Sequence, residues 1–273
     1  AKDKRRHNSK WGRKMIVNLK DTFNNVVTMY DAARPTYPLE LLNDIKDFAE
    51  KSFFTRGLEI GAGTGQATDL FIKVINDLDI VEVGDKQVDY LMEKYKSENV
   101  NTYKAYFEDF KSNKKYDLIF SATAFHWVDA TVGYPKVWDM LNDSGVLAVF
   151  WHMSSVTLHD TGIFVGLNEI KKKYLPEESL GFDKEGIEGV RQKRISQIQS
   201  GNYFGIPVIK EYRWIDTYDA DRYSLLLESY SSTQTLDEEH KKLYLSEVRD
   251  YINSNGGVVE MPQHVMLYLV KKE

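Results

Sequence analysis

The sequence predicts an α/β fold with a mostly parallel sheet and helices on both of its faces. Three observations favour this class. A short apolar strand ending at Ile60 passes into a glycine-rich turn at residues 61–65, and helical spacing of apolar residues follows it. Strand-like and helical patterns then alternate along most of the chain. The run at residues 146–151 is apolar at every position, which is typical of a parallel strand buried on both faces.

Length and composition fit this class. The chain has 273 residues, enough for one large α/β domain with an insertion. It has no cysteine, which excludes disulfides, thiolate metal sites and cysteine nucleophiles. The absence of cysteine also suits a reducing compartment, so we expect a cytoplasmic protein. No apolar run approaches the ~20 residues of a membrane span, and no membrane partner is expected.

Charge is unevenly distributed along the chain. The net charge is −5, yet residues 1–14 hold seven lysines or arginines and one aspartate. We interpret residues 1–29 as a basic, solvated N-terminal arm. The acidic remainder argues against a broad nucleic-acid surface, so we expect no nucleic-acid partner and leave the oligomeric state open.

The first predicted elements surround the glycine-rich turn. Pro38 suits the first turn of a helix that runs to about Glu50, and Pro35 disfavours helix at the residue before it. A strand follows and ends at Ile60. After the turn, apolar residues at positions 67, 70, 71, 74 and 75 predict a second helix. A strand, a glycine-rich turn and a helix form the start of a nucleotide-binding α/β unit.

The residues of the turn discriminate between ligands. A dinucleotide fingerprint, G-x-G-x-x-G/A, needs a third small residue, and here that position is Gln66. Glu59 lies two residues before the first glycine, where a carboxylate would repel a pyrophosphate but suit a cationic amine and sulfonium. An NAD-dependent oxidoreductase is therefore the less favoured alternative.

The E-x-G-x-G-x-G run at residues 59–65 resembles the cofactor motif of class I S-adenosylmethionine-dependent methyltransferases. The resemblance implies a Rossmann-like fold with a seven-stranded sheet in the order 3-2-1-4-5-7-6. It implies S-adenosyl-L-methionine as cofactor, S-adenosyl-L-homocysteine as product and no metal. It assigns Glu59, Gly61, Ala62 and Gly63 to cofactor binding.

A second resemblance lies upstream. The segment Y-x-x-x-R-P-x-Y-P at residues 30–38 is similar to the N-terminal region of small-molecule methyltransferases related to trans-aconitate methyltransferase. In that family the tyrosine and arginine close over the methionine end of the cofactor. The resemblance therefore assigns Tyr30 and Arg34 to the cofactor carboxylate, which suits the fork of an arginine.

The second and third strands are predicted at residues 80–84 and 101–106. Asp85 follows the second strand, 24 residues beyond Gly61, and is our candidate for the ribose hydroxyls, with a helix N-cap as its alternative role. Lys86 lies beside it, along the ribose or adenine edge. After the third strand, the resemblance assigns Glu108 to the adenine amine and the backbone amide of Phe107 to a ring nitrogen.

The fourth strand, residues 116–121, leads into the segment expected to carry the chemistry. Its end lies at the carboxyl edge of the sheet, where open α/β sheets bind ligands, and this places Ser121 at the cofactor. The segment lacks the Pro-Pro-aromatic signature of enzymes that methylate amino groups of DNA bases. It resembles instead the post-strand motif of the trans-aconitate type, which makes His126 and Trp127 candidates for the acceptor side. A purely structural role is the alternative for His126.

The rest of the chain completes the sheet. A helix around residues 134–141 and a turn at 142–145 precede the fifth strand, 146–151. Residues 152–205 have weak periodicity and several cations, and we interpret them as a helical lid over the acceptor site. A strand at 208–217, helices at 219–230 and 236–254 and a final strand at 265–270 follow. This divides the chain into an arm (1–29), a cofactor-binding core (30–151), a lid (152–205) and a completion of the same sheet (206–273).

The resulting hypothesis is methyl transfer from S-adenosylmethionine to a small-molecule acceptor, with a carboxylate among the candidates. A carboxylate needs no base, whereas an alcohol, phenol or amine would use His126 as a general base. A relative of methyltransferases that binds a metabolite without catalysis is the second alternative, since fold does not establish activity.

Overall fold

The computed structural model describes residues 33–153, 162–176, 186–230 and 232–273. The basic arm and Tyr30 lie outside these residues. In chain order, the described helices and strands are α1 (Leu39–Ala49), β1 (Phe54–Ile60), α2 (Thr68–Phe71), β2 (Ile75–Glu82), α3 (Asp85–Lys94), β3 (Val100–Lys104), β4 (Tyr116–Ala122), α4 (Ala130–Met140), β5 (Leu141–His152), α5 (Ile163–Tyr174), α6 (Gly186–Gln199), β6 (Val208–Asp219), α7 (Ala220–Glu228), α8 (Glu238–Ser254) and β7 (Val258–Lys271).

These strands form one seven-stranded sheet in the order β3-β2-β1-β4-β5-β7-β6. The first five are parallel, and β7 runs antiparallel between β5 and β6. The predicted fold class and strand order are therefore confirmed. Because parallel strands end together, the carboxyl ends of β1, β2, β4 and β5 form one edge.

The core lies on both faces of the sheet, which explains the apolar strands. Along β4, Leu118 and Phe120 face one cluster of buried side chains, while Tyr116 and Ile119 face the other. All four are fully buried. A strand with both faces covered has no position left for a polar surface residue, so its sequence shows no alternation.

The helix predicted after the glycine turn is much shorter in the structure. Helix α2 ends at Phe71, and β2 already begins at Ile75. Val74 and Ile75, which fit the helical spacing, instead join the sheet, where the carbonyl of Val74 accepts from the amide of Phe54 at 2.8 Å. A helix and a strand here would bury the same apolar side chains, so the apolar pattern alone does not distinguish them. The pairing with β1 decides in favour of the strand.

The predicted second strand, 80–84, is also shifted, because β2 ends at Glu82. The predicted turn at 142–145 lies within β5 as an irregularity, where the pairing with β4 jumps from Leu141 to Val146. Neither change alters the order of the strands.

The region 152–205 contributes two described helices on opposite sides of the sheet. Helix α5 packs against α8, and Gly166 lies so close to the ring of Tyr251 that a Cβ there would be 2.2 Å from it. Helix α6 buries Ile198 among the side chains that cover β5. Within the described part of the chain, no helix is both long and apolar enough to cross a bilayer.

Candidate active site

A cavity of about 700 Å³ opens at the carboxyl edge of the sheet, within the size range of small-ligand sites. It extends across the ends of four neighbouring strands, β2, β1, β4 and β5. The residues that line it come from these ends and the turns after them, from the segment after β3, from the segment before α1, and from α7 and the residues that follow it: Arg34, Pro35, Tyr37, Ile60, Gly61, Ala62, Gly63, Gln66, Val81, Glu82, Val83, Ala105, Tyr106, Phe107, Glu108, Ala122, Thr123, Ala124, Trp127, Val128, His152, Leu226 and Tyr230.

The glycine turn forms the floor of the cavity, and its backbone requires glycine. Gly61 has a φ of 73°, and a Cβ on it would lie 2.5 Å from the Cβ of Ala124. Gly63 has a φ of 59° and no atom within 4 Å of an added Cβ. The backbone at Gly63 is therefore open to a ligand that approaches it closely.

A buried carboxylate stands beside this turn. Glu82 ends β2, and its oxygens accept three backbone N–H groups, from Gly63 at 2.9 Å, Val83 at 2.8 Å and Gly84 at 2.9 Å. An ionised carboxylate offers about four lone-pair directions, so these bonds fix its position and leave capacity for a ligand hydroxyl. The sequence allows this because the chain turns directly after Glu82, which brings successive amides back to its side chain.

The next part of the cavity is formed by the segment after β3. Phe107 is buried, and the amine of Lys136 lies 5.2 Å from the centre of its ring. Glu108 accepts the backbone amide of Asp129 at 3.0 Å, which joins this segment to the start of α4. Tyr106 is exposed at the cavity surface. Flat apolar surface next to a carboxylate suits a heteroaromatic ring that carries an amino group.

The other end of the cavity, beyond β4, has a different character. The hydroxyl of Tyr37 lies 3.0 Å from that of Thr123. The ring of Tyr37 lies next to the ring of His152. Thr123 has a φ of 53°, an uncommon conformation for threonine. The hydrogen bond that its backbone amide donates to the carbonyl of Phe150 holds it there. Burial raises the pKa of Tyr37 to about 12, so this hydroxyl stays protonated.

The chain is similar to known proteins in sequence and in fold. Residues 58–149 match the family model of the methyltransferase domain. The solved structure of a "Putative Type II Methyltransferase" from Anaeromyxobacter dehalogenans aligns with a TM-score of 0.59 over 88% of this chain and 96% of that one, at 17% identity. Residues 58–149 are thus similar in sequence to a methyltransferase domain, and the fold of the chain is similar to that of a solved methyltransferase structure. This structural likeness shows the fold alone.

Proteins of two yeasts are similar to this chain over about half of its length. An uncharacterized methyltransferase-like protein of Schizosaccharomyces pombe is 29% identical over 141 residues, which cover 50% of this chain and 54% of the relative. A probable S-adenosylmethionine-dependent methyltransferase of Saccharomyces cerevisiae is 29% identical over 131 residues, covering 45% and 43%. The matched region is thus about half the length of these relatives.

The structure brings together part of the predicted site at the cavity. The predicted residues that line the cavity are Arg34, Gly61, Ala62, Gly63, Phe107, Glu108 and Trp127. Trp127 is 83% exposed at the rim, and the guanidinium of Arg34 donates to the carbonyl of Ser229 at 3.1 Å.

Asp85 and Lys86 lie away from the cavity. Asp85 begins α3, its side chain is 73% exposed, and it forms an ion pair with Lys104. Lys86 is exposed on the same helix. Glu82 occupies the place in the cavity that the sequence analysis gave to Asp85. The sequence contained a signal that favours Glu82 over Asp85. Glu82 lies 21 residues after Gly61, which is nearer the spacing of about 20 expected for a ribose-binding acid.

Glu59 and Ser121 are buried within the sheet and do not line the cavity. Glu59 is 0% exposed, and one of its oxygens accepts the hydroxyl of Thr68 at 2.5 Å. The other oxygen has no hydrogen-bond partner, and burial raises the pKa of this carboxyl to about 8. Ser121 donates to the carbonyl of Ile60 at 2.7 Å and so ties β4 to β1. In the structure both contribute to the frame behind the glycine turn.

His126 points to a neighbouring cluster and does not line the cavity. Its Nδ1 accepts the indole N–H of Trp151 at 3.1 Å, and the guanidinium of Arg194 lies 4.2 Å from the ring centre of that tryptophan. Burial and the charge of Arg194 lower the pKa of His126. Residues that sequence reasoning missed, and that do line the cavity, include Glu82, Tyr37, Thr123 and His152. Among the described residues, no group of three His, Cys, Asp or Glu side chains is arranged to hold a metal.

Proposed function

We propose that this domain transfers the methyl group of S-adenosylmethionine to a small-molecule acceptor. The observation that carries the proposal is the fixed carboxylate of Glu82 beside the open glycine turn. Together they offer an acceptor of hydrogen bonds next to bare backbone, which fits a ribose with its two hydroxyls. The methyltransferase domain match and the relatives named above support the same reaction.

Each part of the cavity has a role in this proposal. Glu82 accepts from the ribose hydroxyls, while Glu108 and the backbone of Phe107 bind the adenine edge. Arg34, with Tyr30 from the segment outside the described residues, binds the carboxylate of the cofactor. The cofactor supplies an electrophilic methyl group on its sulfonium. The protein has to hold an acceptor in line with it and exclude water, and such positioning supplies ~7–11 kcal/mol of a barrier.

The acceptor is assigned to the end of the cavity beyond β4. Tyr37 and Thr123 lie at this end next to His152, and Trp127, Tyr230 and Leu226 are further residues of the cavity lining. In the proposal residues 152–205 cover this end as a lid, and His152 is the described residue of that range that lines the cavity. A cytoplasmic location remains our expectation.

The test is titration calorimetry with S-adenosylhomocysteine, comparing Glu82→Gln with Asp85→Asn. Both variants replace one carboxylate by an amide, three residues apart. Loss of a hydrogen bond to a charged group costs about 1.5–3 kcal/mol, so Glu82→Gln should weaken binding roughly 10- to 100-fold. Asp85→Asn should bind like the wild type, because its side chain is exposed outside the cavity.

Other outcomes identify the error. Weaker binding by Asp85→Asn alone would restore Asp85 as the ribose ligand and remove Glu82. Binding of NAD in place of S-adenosylhomocysteine would favour the oxidoreductase alternative. Binding of S-adenosylhomocysteine without turnover of any acid, alcohol or amine would favour a relative that binds without catalysis.

A further inference from the structure

One buried side chain in the cavity has both of its polar atoms unpaired. His152 is the last residue of β5, and its two ring nitrogens are buried without a hydrogen-bond partner. Its backbone amide donates to Thr123 Oγ1 at 3.3 Å, which holds the residue at the cavity wall. A buried polar group without a partner destabilises the fold, because it has lost its water and gained no hydrogen bond in exchange.

The other histidines of the described ranges all have partners. His126 accepts from Trp151, His240 Nδ1 lies 2.7 Å from Asp237, and His264 Nε2 lies 3.1 Å from Glu211. Unpaired nitrogens in a cavity wall differ from unpaired nitrogens in a sealed core, because a ligand in the cavity can pair with them. His152 is the described histidine with both nitrogens unpaired at the cavity wall, and a ligand that displaces the atoms covering them can pair with them.

The position of His152 separates it from the end assigned to the cofactor. Glu82 ends β2, and three strand spacings in the order β2-β1-β4-β5 separate it from His152. At 4.7–4.9 Å a spacing, this is about 14 Å. The two ends of the cavity therefore have room for two different groups.

Two aromatic rings lie next to His152. Its ring centre lies 4.9 Å from that of Tyr37 and 6.1 Å from that of Trp214. The carboxylates among the residues lining the cavity are Glu82 and Glu108, both at the other end. Burial lowers the pKa of His152 to about 4, which the charge of Asp216 only partly opposes, so the imidazole is neutral at pH 7.

We propose that His152 receives the proton of an uncharged hydroxyl, carried on an apolar or aromatic frame, that is methylated at this end of the cavity. This rests on the proposed function. The oxygen of the acceptor forms a bond to the methyl carbon as the carbon–sulfur bond breaks. The electron pair of that bond stays on sulfur, and the hydroxyl proton passes to the free ring nitrogen of His152.

The chemistry suits a weakly basic imidazole. The hydroxyl becomes strongly acidic as its oxygen gains a third covalent bond and positive charge, so the base does not need a high pKa. A neutral imidazole in an apolar wall also rejects an ammonium acceptor, because no carboxylate of the described cavity lining lies near it to compensate the charge.

The test uses the protein saturated with S-adenosylhomocysteine, with histidines labelled with ¹³C at Cε1. Phenol is the probe, and toluene, which has the same frame without the hydroxyl, is the matched control. Phenol should shift the resonance of His152 in a saturable way and leave that of His264 in place. Toluene, which offers the ring without a hydrogen-bond donor, should shift the resonance of His152 clearly less and leave that of His264 in place. The assignments come from His152→Phe and His264→Gln.

The variant His152→Phe keeps an aromatic ring and removes both nitrogens. Phenol affinity should fall roughly two- to tenfold, to that of toluene, while affinity for S-adenosylhomocysteine stays unchanged. Equal shifts with phenol and toluene, or no shift with either, would overturn the role of His152. Failure of the wild type to bind S-adenosylhomocysteine would instead overturn the proposed function, and a phenol shift without the nucleoside would leave His152 as a hydroxyl-binding residue only.

Discussion

Glu59 should make the protein less stable as the pH rises. Its pKa is raised from 4.5 to about 8 by burial. Below pH 4.5 the group is protonated in both the folded and the unfolded chain. Above 4.5 the unfolded chain releases the proton while the folded chain keeps it, so the free energy of unfolding falls until the pH reaches about 8.

The size of this loss in the free energy of unfolding follows from the pKa shift of Glu59. One pKa unit corresponds to about 1.36 kcal/mol, which gives a loss of about 3 kcal/mol at pH 7 and about 5 kcal/mol above pH 8. These are upper values, since water entry at the ionised group lowers the cost. Glu59→Gln removes the titration and keeps an oxygen that can accept from Thr68.

The assay is urea unfolding of the wild type and Glu59→Gln at pH 5, 6, 7 and 8. The variant should be nearly as stable as the wild type at pH 5 and should gain on it by up to roughly 3–4 kcal/mol by pH 8. Glu98→Gln, an exposed glutamate, controls for the loss of one negative charge. If the free energies of unfolding of the wild type and Glu59→Gln change in parallel with pH, Glu59 ionises in the folded protein as readily as in the unfolded chain. The reasoning from burial would then be wrong.

Two further substitutions test the geometry of the site. Gly61→Ala places a Cβ 2.5 Å from that of Ala124 at a φ of 73°, so it should cost about 1–3 kcal/mol of stability and weaken binding of S-adenosylhomocysteine in calorimetry. Gly205→Ala, whose Cβ would meet no atom within 4 Å, is its control. His126→Ala should cost about 1 kcal/mol of stability through the lost bond to Trp151 and leave nucleoside binding unchanged. A loss of binding in His126→Ala would place that residue at the cofactor after all.

The fourth and fifth strands and the glycine turn were predictable because they rest on local patterns: apolar runs mark the strands, and consecutive residues form the turn. The order of the strands followed from the resemblance that the glycine turn carries. Helix α2 was predicted wrongly in length, since Val74 and Ile75 fit both a helical face and a buried strand. Only the pairing with β1, about 20 residues earlier in the chain, decides between a helix and a strand at these residues.

The cavity was harder to predict because it depends on where each strand stops. The end of β2 at Glu82, three residues before Asp85, determines which acid reaches the glycine turn. His126 and His152 are both polar residues near strand ends, and nothing local separates them. Tyr37 and Thr123, which lie next to His152, are in contact although they are 86 positions apart in sequence. His126 instead accepts a hydrogen bond from the indole of Trp151, outside the cavity.

The short helix α2 has a consequence for polyanions. A helix of four residues has a weak dipole, and its positive end offers little stabilisation to a phosphate. The amides around it are also engaged within the protein, since Gly63 donates to Glu82, Gly65 to the carbonyl of Ala62 and Asp69 to that of Gly65. With a carboxylate in place of free amides, the turn selects against triphosphates and dinucleotides. The abundant ATP of a cell should therefore compete poorly for a site that an uncharged ribose can enter.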